Sequence, residues 1–233
     1  MTAVKIHSQA EIEMARAAGH AAAKVLEIIT PYVVAGVTTD EIDRLCHEYI
    51  VNELKVIPAN IGYHGYAHTV CTSVNHVVCH GIPSDKKLKK GDIVNIDVAI
   101  IKDGWYGDTS RMYYVGVPSV RAKRLVDITY LSMVEGIKVV RPGATLGDIG
   151  AAIQQVAEGA GFSVVREYCG HGVGEEYHTA PQVLHYGIAG TGMVLEAGMI
   201  FTIEPMINAG KAATSVLSDG WTVVTKDRSL SAQ

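Results

Sequence analysis

The 233-residue sequence is poor in cysteine, in aromatic residues other than tyrosine, and in long uninterrupted apolar runs. Its four cysteines include no Cys-x-x-Cys pair, which argues against a disulfide framework and a thiolate zinc finger. The most membrane-like stretch, residues 186–203, is interrupted by glycines and by Glu196, so we expect no transmembrane helix. The first residues lack the apolar core of a signal peptide, which predicts a cytoplasmic protein.

Positive charge is also scarce, since the net charge is −4 and basic residues cluster only in a short run, residues 86–90. This pattern excludes a general nucleic-acid binder. Apolar residues make up 48% and charged residues 19% of the chain, a balance typical of a globular protein with a sizeable core.

The chain contains an internal repeat with a fixed offset of 107 residues. Gly36 matches Gly143 and Thr38 matches Thr145, and residues 91–97 align with residues 198–204 at the same offset. Two separate segments that keep one offset indicate two related halves, at about 1–120 and 121–233. The alternative is that ordinary helix and strand patterns align by chance.

Each half reads as two helices followed by an antiparallel hairpin. The periodicity predicts helices at 11–30, 41–52, 121–140 and 148–159, and strands at 93–101, 112–117, 200–208 and 221–225. Because the helices of both halves need one sheet to cover, we expect a single α+β domain with pseudo-two-fold symmetry over residues 1–233.

The repeat aligns two acidic residues, Asp97 and Glu204, each expected at the end of an otherwise apolar strand. Burying two facing carboxylates is costly, and a divalent metal ion would offset that cost. The alternative is that each acid caps a strand at the surface. Asp108 follows Asp97 by eleven residues, and this spacing leaves open which face of the hairpin it shares.

Histidine could add a nitrogen ligand, because His80 and His171 each precede a glycine ahead of the acidic segments. Aspartate, glutamate and one imidazole suit Mn(II), Fe(II), Co(II) or Zn(II), and bridging carboxylates suggest a pair of ions. The sequence has no His-Glu-x-x-His, no Gly-x-Ser-x-Gly and no lysine-containing phosphate loop, which excludes those catalytic classes.

At these residues the sequence resembles the type I methionine aminopeptidases of bacterial kind, over essentially its whole length. The motifs that carry the resemblance are residues 62–66 (GYHGY), 78–83 (VCHGIP), 91–97 (GDIVNID), 107–110 (GDTS), 169–174 (CGHGVG) and 201–205 (FTIEP). The resemblance implies the pita-bread α+β fold, which that family shares with proline dipeptidases and creatinase.

The resemblance also implies metal ligands and a reaction. Asp97 and Asp108 are expected to bind one ion and to bridge two, respectively, and His171 and Glu204 to bind the other. Water activated by the metal would release the initiator methionine of a nascent protein, with Glu204 as a proton carrier. His178 would hydrogen-bond the scissile amide.

The resemblance assigns the remaining site residues to substrate binding. His80 would contact the leaving nitrogen or the second residue, and crowding would favour a small second residue. The methionine side chain would lie in an apolar slot lined by Tyr63, Tyr66, Cys71, Tyr177 and Trp221. For all of these the alternative is core packing, which is the favoured interpretation for Cys71. The partners implied are peptides with N-terminal methionine, including nascent chains at the ribosome, and the chain is expected to be monomeric.

The sequence departs from the family at its end. The family has a fifth ligand, a bridging glutamate, just after a Ser-Leu-Ser-Ala-Gln segment, which here is residues 229–233 and ends the sequence. We therefore expect a missing central strand and a loosened sheet, with Asp108, His171 and Glu204 still able to hold one ion weakly. Activity is expected to be impaired or absent unless another chain supplies the strand. A non-catalytic remnant that binds nascent chains, and a related proline dipeptidase, remain as alternatives.

Overall fold

The computed structural model describes residues 4–233 as an α+β protein. Its α-helices are α1 (Gln9–Ile29), α2 (Thr39–Glu48), α3 (Val120–Lys138) and α4 (Leu146–Gly159). Its strands are β1 (Ile57–Pro58), β2 (Val70–Val74), β3 (Val77–Cys79), β4 (Ile93–Lys102), β5 (Trp105–Tyr114), β6 (Ser163–Val164), β7 (Gly170–Gly172), β8 (Thr179–Val183), β9 (Ile207–Asn208), β10 (Thr214–Val216), β11 (Val223–Thr225) and β12 (Ser231–Ala232).

The strands form four sheets, in which every pairing is antiparallel. In the largest sheet β4 is central, with β5 along one edge and both β1 and β2 along the other. The smaller sheets have the orders β10-β11-β3, β12-β9-β6 and β7-β8. Strand β4 therefore has partners on both edges, and it carries the first acidic residue of the predicted site.

The two faces of β4 have different neighbours. On one face, Val94, Ile96, Val98 and Ile100 are apolar and buried, and they pack with residues of α1 and α2 in one core cluster. Because side chains alternate along a strand, Asn95, Asp97 and Ala99 point to the opposite face. Helices α1 and α2 thus cover one side of the sheet, and Asp97 lies on the other side.

The helices begin where the sequence pattern predicts. Ser8 caps α1 in a capping box with Glu11, and Thr145 caps α4 in a capping box with Asp148. The helix α2 ends as an α-helix at Glu48 and continues through a wider π-helical turn to Glu53. The four predicted helices are confirmed to within a few residues at their ends.

The 107-residue offset recurs in the backbone hydrogen bonds. The amide of Gly36 donates to the carbonyl of Leu88 at 2.8 Å, and the amide of Gly143 donates to that of Leu195 at 2.9 Å. Donor and acceptor in the second bond each lie 107 residues after their counterparts in the first. Both glycines have a positive φ, which a side chain would make costly.

The predicted strand at 112–117 is wrong in its bounds, because β5 begins at Trp105. The turn is confined to Asp103 and Gly104, which both have positive φ, as a two-residue hairpin turn requires. Gly107 lies within this strand, although glycine is uncommon inside strands. A Cβ atom there would lie 2.3 Å from the carbonyl oxygen of Ala18, so only glycine lets α1 approach the sheet this closely.

The predicted strand at 200–208 is also wrong, since only Ile207–Asn208 forms a strand there. Phe201 makes a single isolated bridge to Gly172. The residues between Phe201 and β9 belong to no strand. The second half therefore does not repeat the regular hairpin of the first half. Across residues 4–233, none of the helices combines the length and apolar character needed to cross a membrane.

Candidate metal centre

The β4–β5 hairpin brings the two aspartates together. Asp97 pairs with Ser110, and Ala99 pairs with Asp108, so the aspartates occupy diagonal positions on the two strands. Directly opposite residues share a face, and so do residues two apart on one strand. Asp108 therefore lies on the same face as Asp97, which answers the question that the sequence spacing left open. Asp97 lies in the middle of its strand and not at the end of it.

The second half brings His171 and Glu204 to the same place. His171 is the central residue of β7, and its carbonyl accepts a hydrogen bond from the amide of Thr202 at 2.8 Å. Glu204 follows Thr202 by two residues. The Nε2 atom of His171 lies 3.3 Å from Oδ2 of Asp108 and 3.4 Å from Oε1 of Glu204.

Three side chains, those of Asp108, His171 and Glu204, place one donor atom each within 4.8 Å of the others. Distances of this size between donor atoms are those of ligands around one metal ion. Asp97 lies outside this group of three, although it lines the same cavity. The structure thus brings all four predicted ligands to one cavity, but Asp97 lies apart from the group formed by the other three.

The carboxylates of this site are held in unfavourable surroundings for a negative charge. Burial, reinforced by the charge of Asp108, raises the pKa of Glu204 to about 7. Burial also raises the pKa of Asp97 well above its ordinary value, and the charges of Asp108 and Glu204 add to this shift. Three acids around one imidazole form a donor set that a divalent cation fits, because the cation would compensate their negative charge.

The imidazole of His171 is oriented for ligation. Its Nδ1 atom lies 3.1 Å from the carbonyl oxygen of Gly172. Donation from Nδ1 to this carbonyl places the lone pair of the neutral ring on Nε2, which faces the two carboxylates. A Cβ atom on Gly172 would lie 2.1 Å from the carbonyl oxygen of Ala180, so glycine is required beside the histidine.

Two further predicted histidines stand at the edge of the centre. The ring of His178 lies 4.1 Å from that of His171, and its Nδ1 atom is 2.8 Å from the hydroxyl of Tyr63. Burial, followed by the charge of His171, lowers the pKa of His178 to about 4. Burial also lowers the pKa of His80. Both rings are therefore neutral at pH 7 and can act as hydrogen-bond donors.

A cavity of about 900 Å³ opens over these residues. All five residues predicted for the methionine slot line it: Tyr63, Tyr66, Cys71, Tyr177 and Trp221. The rings of Tyr66 and Trp221 meet edge to face at 4.9 Å, and those of Tyr63 and Tyr177 lie 4.9 Å apart. Burial raises the pKa of the Cys71 thiol, which makes this cysteine an apolar wall residue.

The sequence interpretation missed several residues that support the site. Asn60 accepts a hydrogen bond from the Tyr177 hydroxyl at 2.8 Å, and Gln233 donates to Oε2 of Glu204 at 3.2 Å. The amide of Glu204 donates to Nε2 of the buried His185 at 3.2 Å. Local sequence gives no signal for contacts between residues so far apart. Thr202 lies only two residues before Glu204, so its contact with that carboxylate could have been predicted from the sequence.

The chain matches known proteins over nearly its full length. Residues 13–227 match the model of Metallopeptidase family M24. A methionine aminopeptidase from Salmonella typhimurium is 59% identical over 232 residues, which are 99% of this chain and 88% of that protein. The crystal structure of methionine aminopeptidase from Rickettsia prowazekii superimposes with a TM-score of 0.97 at 56% identity, covering 99% of this chain and 93% of that one.

Proline-specific enzymes share the fold at greater distance. An Xaa-Pro dipeptidase from Bacillus anthracis matches with a TM-score of 0.72 at 24% identity, covering 94% of this chain and 57% of that one. The pita-bread architecture expected from the motifs is thereby confirmed. Both the sequence identity and the TM-score are higher for the methionine aminopeptidases than for this dipeptidase. The chain therefore belongs to metallopeptidase family M24, and within it to the methionine aminopeptidases.

Proposed function

We propose that this protein removes the N-terminal initiator methionine from proteins by hydrolysis of the first peptide bond. The observation that carries the proposal is the convergence of Asp108, His171 and Glu204 beneath a cavity with an aromatic wall. The donor group supplies a place for a divalent metal, and the wall supplies an apolar surface for a thioether side chain.

In this proposal Asp97, Asp108, His171 and Glu204 hold the metal, as one ion or as a pair. Cobalt, manganese, iron and zinc all suit these oxygen and nitrogen donors. When bound, the metal supplies a Lewis acid that polarises the scissile carbonyl and lowers the pKa of a water ligand. Glu204 takes the proton that the attacking water loses and delivers it to the leaving amine.

His178 and His80 bind the peptide in their neutral forms. Donation from the Tyr63 hydroxyl to Nδ1 of His178 leaves the ring proton on Nε2, which donates to the scissile amide and to the oxygen of the tetrahedral intermediate. His80 contacts the leaving nitrogen or the second residue. Tyr63 thus contributes both to the wall of the slot and to the orientation of a catalytic histidine.

The substrate slot is formed by Tyr63, Tyr66, Cys71, Tyr177 and Trp221. Aromatic edges favour the polarisable sulfur of methionine. The rings of His171 and Tyr177 lie close to that of His178, and such crowding would favour a small second residue such as Gly, Ala or Ser. We propose that the protein acts in the cytoplasm as a monomer and that its substrates are nascent chains.

Residues 1–233 are proposed to act as one metallo-aminopeptidase domain, with halves at about 1–120 and 121–233. Each half contributes two of the four ligands, which supports treating them as one functional unit. A non-catalytic remnant and a proline dipeptidase are not favoured, because both the identity and the structural match lie with the aminopeptidases.

The test is methionine release from the peptide Met-Ala-Ser by the chain, with Mn(II) or Co(II) added. We expect release from Met-Ala-Ser, slow release from Met-Lys-Ser, and none from the acetylated peptide, whose amine is blocked. Faster hydrolysis of an Ala-Pro dipeptide than of Met-Ala-Ser would favour the proline dipeptidase. Bound metal without release of methionine from any peptide would contradict the proposal.

A further inference from the structure

Two ligands of the centre are linked by a residue that the reaction scheme above does not use. Thr202 precedes Glu204 by two residues, and its backbone lies beside His171. Its side chain is partly buried and lies against Glu204. Nothing in the proposed chemistry requires a hydroxyl there, so its contacts need a separate explanation.

The Thr202 hydroxyl makes two hydrogen bonds of opposite sense. It accepts from the amide of His171 at 2.9 Å and lies 2.5 Å from Oε1 of Glu204. A hydroxyl has one proton to donate, and the other possible acceptor, the carbonyl of His171, is 3.4 Å away. The proton therefore belongs to the short contact with the carboxylate, as in a charge-assisted hydrogen bond.

The oxygen that receives this proton is the one that faces the other ligands. Oε1 of Glu204 is the atom 3.4 Å from Nε2 of His171. The second oxygen, Oε2, accepts from Gln233. The hydroxyl thus sets the direction in which Oε1 points, and it ties that direction to the backbone of the residue that supplies the imidazole.

From these contacts we propose that Thr202 is the positioning residue of the metal centre, whose hydroxyl holds Glu204 in register with His171 for metal binding. This inference rests on the proposed function, because it assumes that the cluster is a metal centre. Outer hydrogen bonds of this kind change metal affinity by about 10- to 100-fold when they are removed. The cause is orientation, since Thr202 itself contributes no charge.

Valine and serine separate the hydroxyl from the shape of the side chain. Thr202→Val keeps the β-branched form and removes the hydroxyl, whereas Thr202→Ser keeps the hydroxyl and loses a methyl group. Thr72→Val is a matched control, because Thr72 is buried in β2 and its hydroxyl has no hydrogen-bond partner among residues 4–233. Thr72 pairs with Ile96 and so lies on the sheet face opposite Asp97.

The experiment is a titration of the metal-free chain with Mn(II), in which free Mn(II) is counted by electron paramagnetic resonance. We expect the Kd of Thr202→Val to rise about 10-fold or more, and those of Thr202→Ser and Thr72→Val to stay within about threefold of the parent. The Co(II) absorption spectrum should change in Thr202→Val and be restored in Thr202→Ser.

Other results would overturn the inference. An unchanged Kd in Thr202→Val, or an equal loss in Thr202→Ser, would show that the hydroxyl does not position the ligands. If the valine variant does not fold, as judged by circular dichroism, Thr202→Ala takes its place, because alanine also removes the hydroxyl and adds no metal ligand. A parent chain that binds no Mn(II) would remove both this inference and the proposed function, whereas normal binding without methionine release would remove only the latter.

Discussion

The two halves of the molecule hold their predicted metal ligands in different ways. Asp97 and Asp108 lie on ten-residue strands that pair without interruption, so the backbone ladder positions them. His171 lies on a three-residue strand, and Glu204 lies outside any strand. There the chain is held by side chains. The hydroxyl of Thr202 donates a hydrogen bond to one Glu204 oxygen, and the ring of His185 accepts a hydrogen bond from the backbone amide of Glu204.

The difference shows that two related halves can position equivalent side chains by different interactions. Among residues 4–233, the carboxylates of Asp97 and Asp108 accept no hydroxyl hydrogen bond comparable to that on Glu204. A regular ladder already restricts the direction of each side chain. Where the ladder is missing, individual hydrogen bonds must supply the restriction, and substitutions at those bonds should have larger effects.

The largest effect should come from removing one ligand of each half. We expect Asp108→Ala and His171→Ala each to lower both Mn(II) affinity and methionine release by more than about 100-fold, because they remove a donor from one converging group. His20→Ala, at an exposed position of α1, serves as the control. A large loss in only one of the two ligand variants would mean that one half carries the site alone.

The next effect should come from Gly170, which packs against Thr202. A Cβ atom at Gly170 would lie 2.3 Å from the carbonyl oxygen of Thr202. We expect Gly170→Ala to lower the free energy of unfolding by about 2–3 kcal/mol, measured by urea denaturation. Gly19→Ala is the control from the first half. Its Cβ would meet nothing within 4 Å, and alanine in a helix should stabilise by about 0.5–1 kcal/mol. Equal stability of Gly170→Ala and the parent would show that the backbone around Gly170 and Thr202 can shift to accommodate a methyl group without cost.

A smaller effect is expected from His185→Phe. The substitution leaves the Glu204 amide without its acceptor, which costs about 1–3 kcal/mol. It also removes Nδ1 of His185, which is buried without a partner among the described residues, and this offsets part of the cost. We expect a net loss of about 1 kcal/mol in the free energy of unfolding. An increase in stability would mean that the unpaired nitrogen outweighs the hydrogen bond.

The smallest effect is a pH dependence of stability that His185 causes. Burial lowers the pKa of His185 to about 3 in the folded chain, from 6.5 when exposed. Between these values the unfolded chain binds more protons, so the free energy of unfolding falls as the pH falls below 6.5. The contribution at pH 6 is under about 1 kcal/mol.

Urea denaturation of the parent and of His185→Phe at pH 8 and pH 6 measures this contribution. The parent should lose more stability than the variant between the two pH values. Because the other titrating groups are common to both chains, their effects cancel in the difference. Identical losses in both chains would show that His185 does not resist protonation in the folded state.

Much of this arrangement could be predicted from the sequence. The capped, periodic helices and the 107-residue offset are local or repeated patterns, and the acids and histidines stand in specific motifs. The strand bounds were wrong where a distant contact decides them. Gly107 lies inside β5 because α1 approaches it, and that approach has no local signal.

The sequence by itself predicted the set of donors, and it determined the helices and the alternation that gives β4 one face for the core and one for Asp97. These depend on spacing along the chain, which the periods of strand and helix convert directly into faces. The tertiary structure alone decided that Asp108, His171 and Glu204 converge, that Asp97 stands apart from them, and that Thr202, His185 and Gln233 support Glu204. The reason is physical: those contacts join segments far apart in sequence, and their geometry exists only once the two halves pack together.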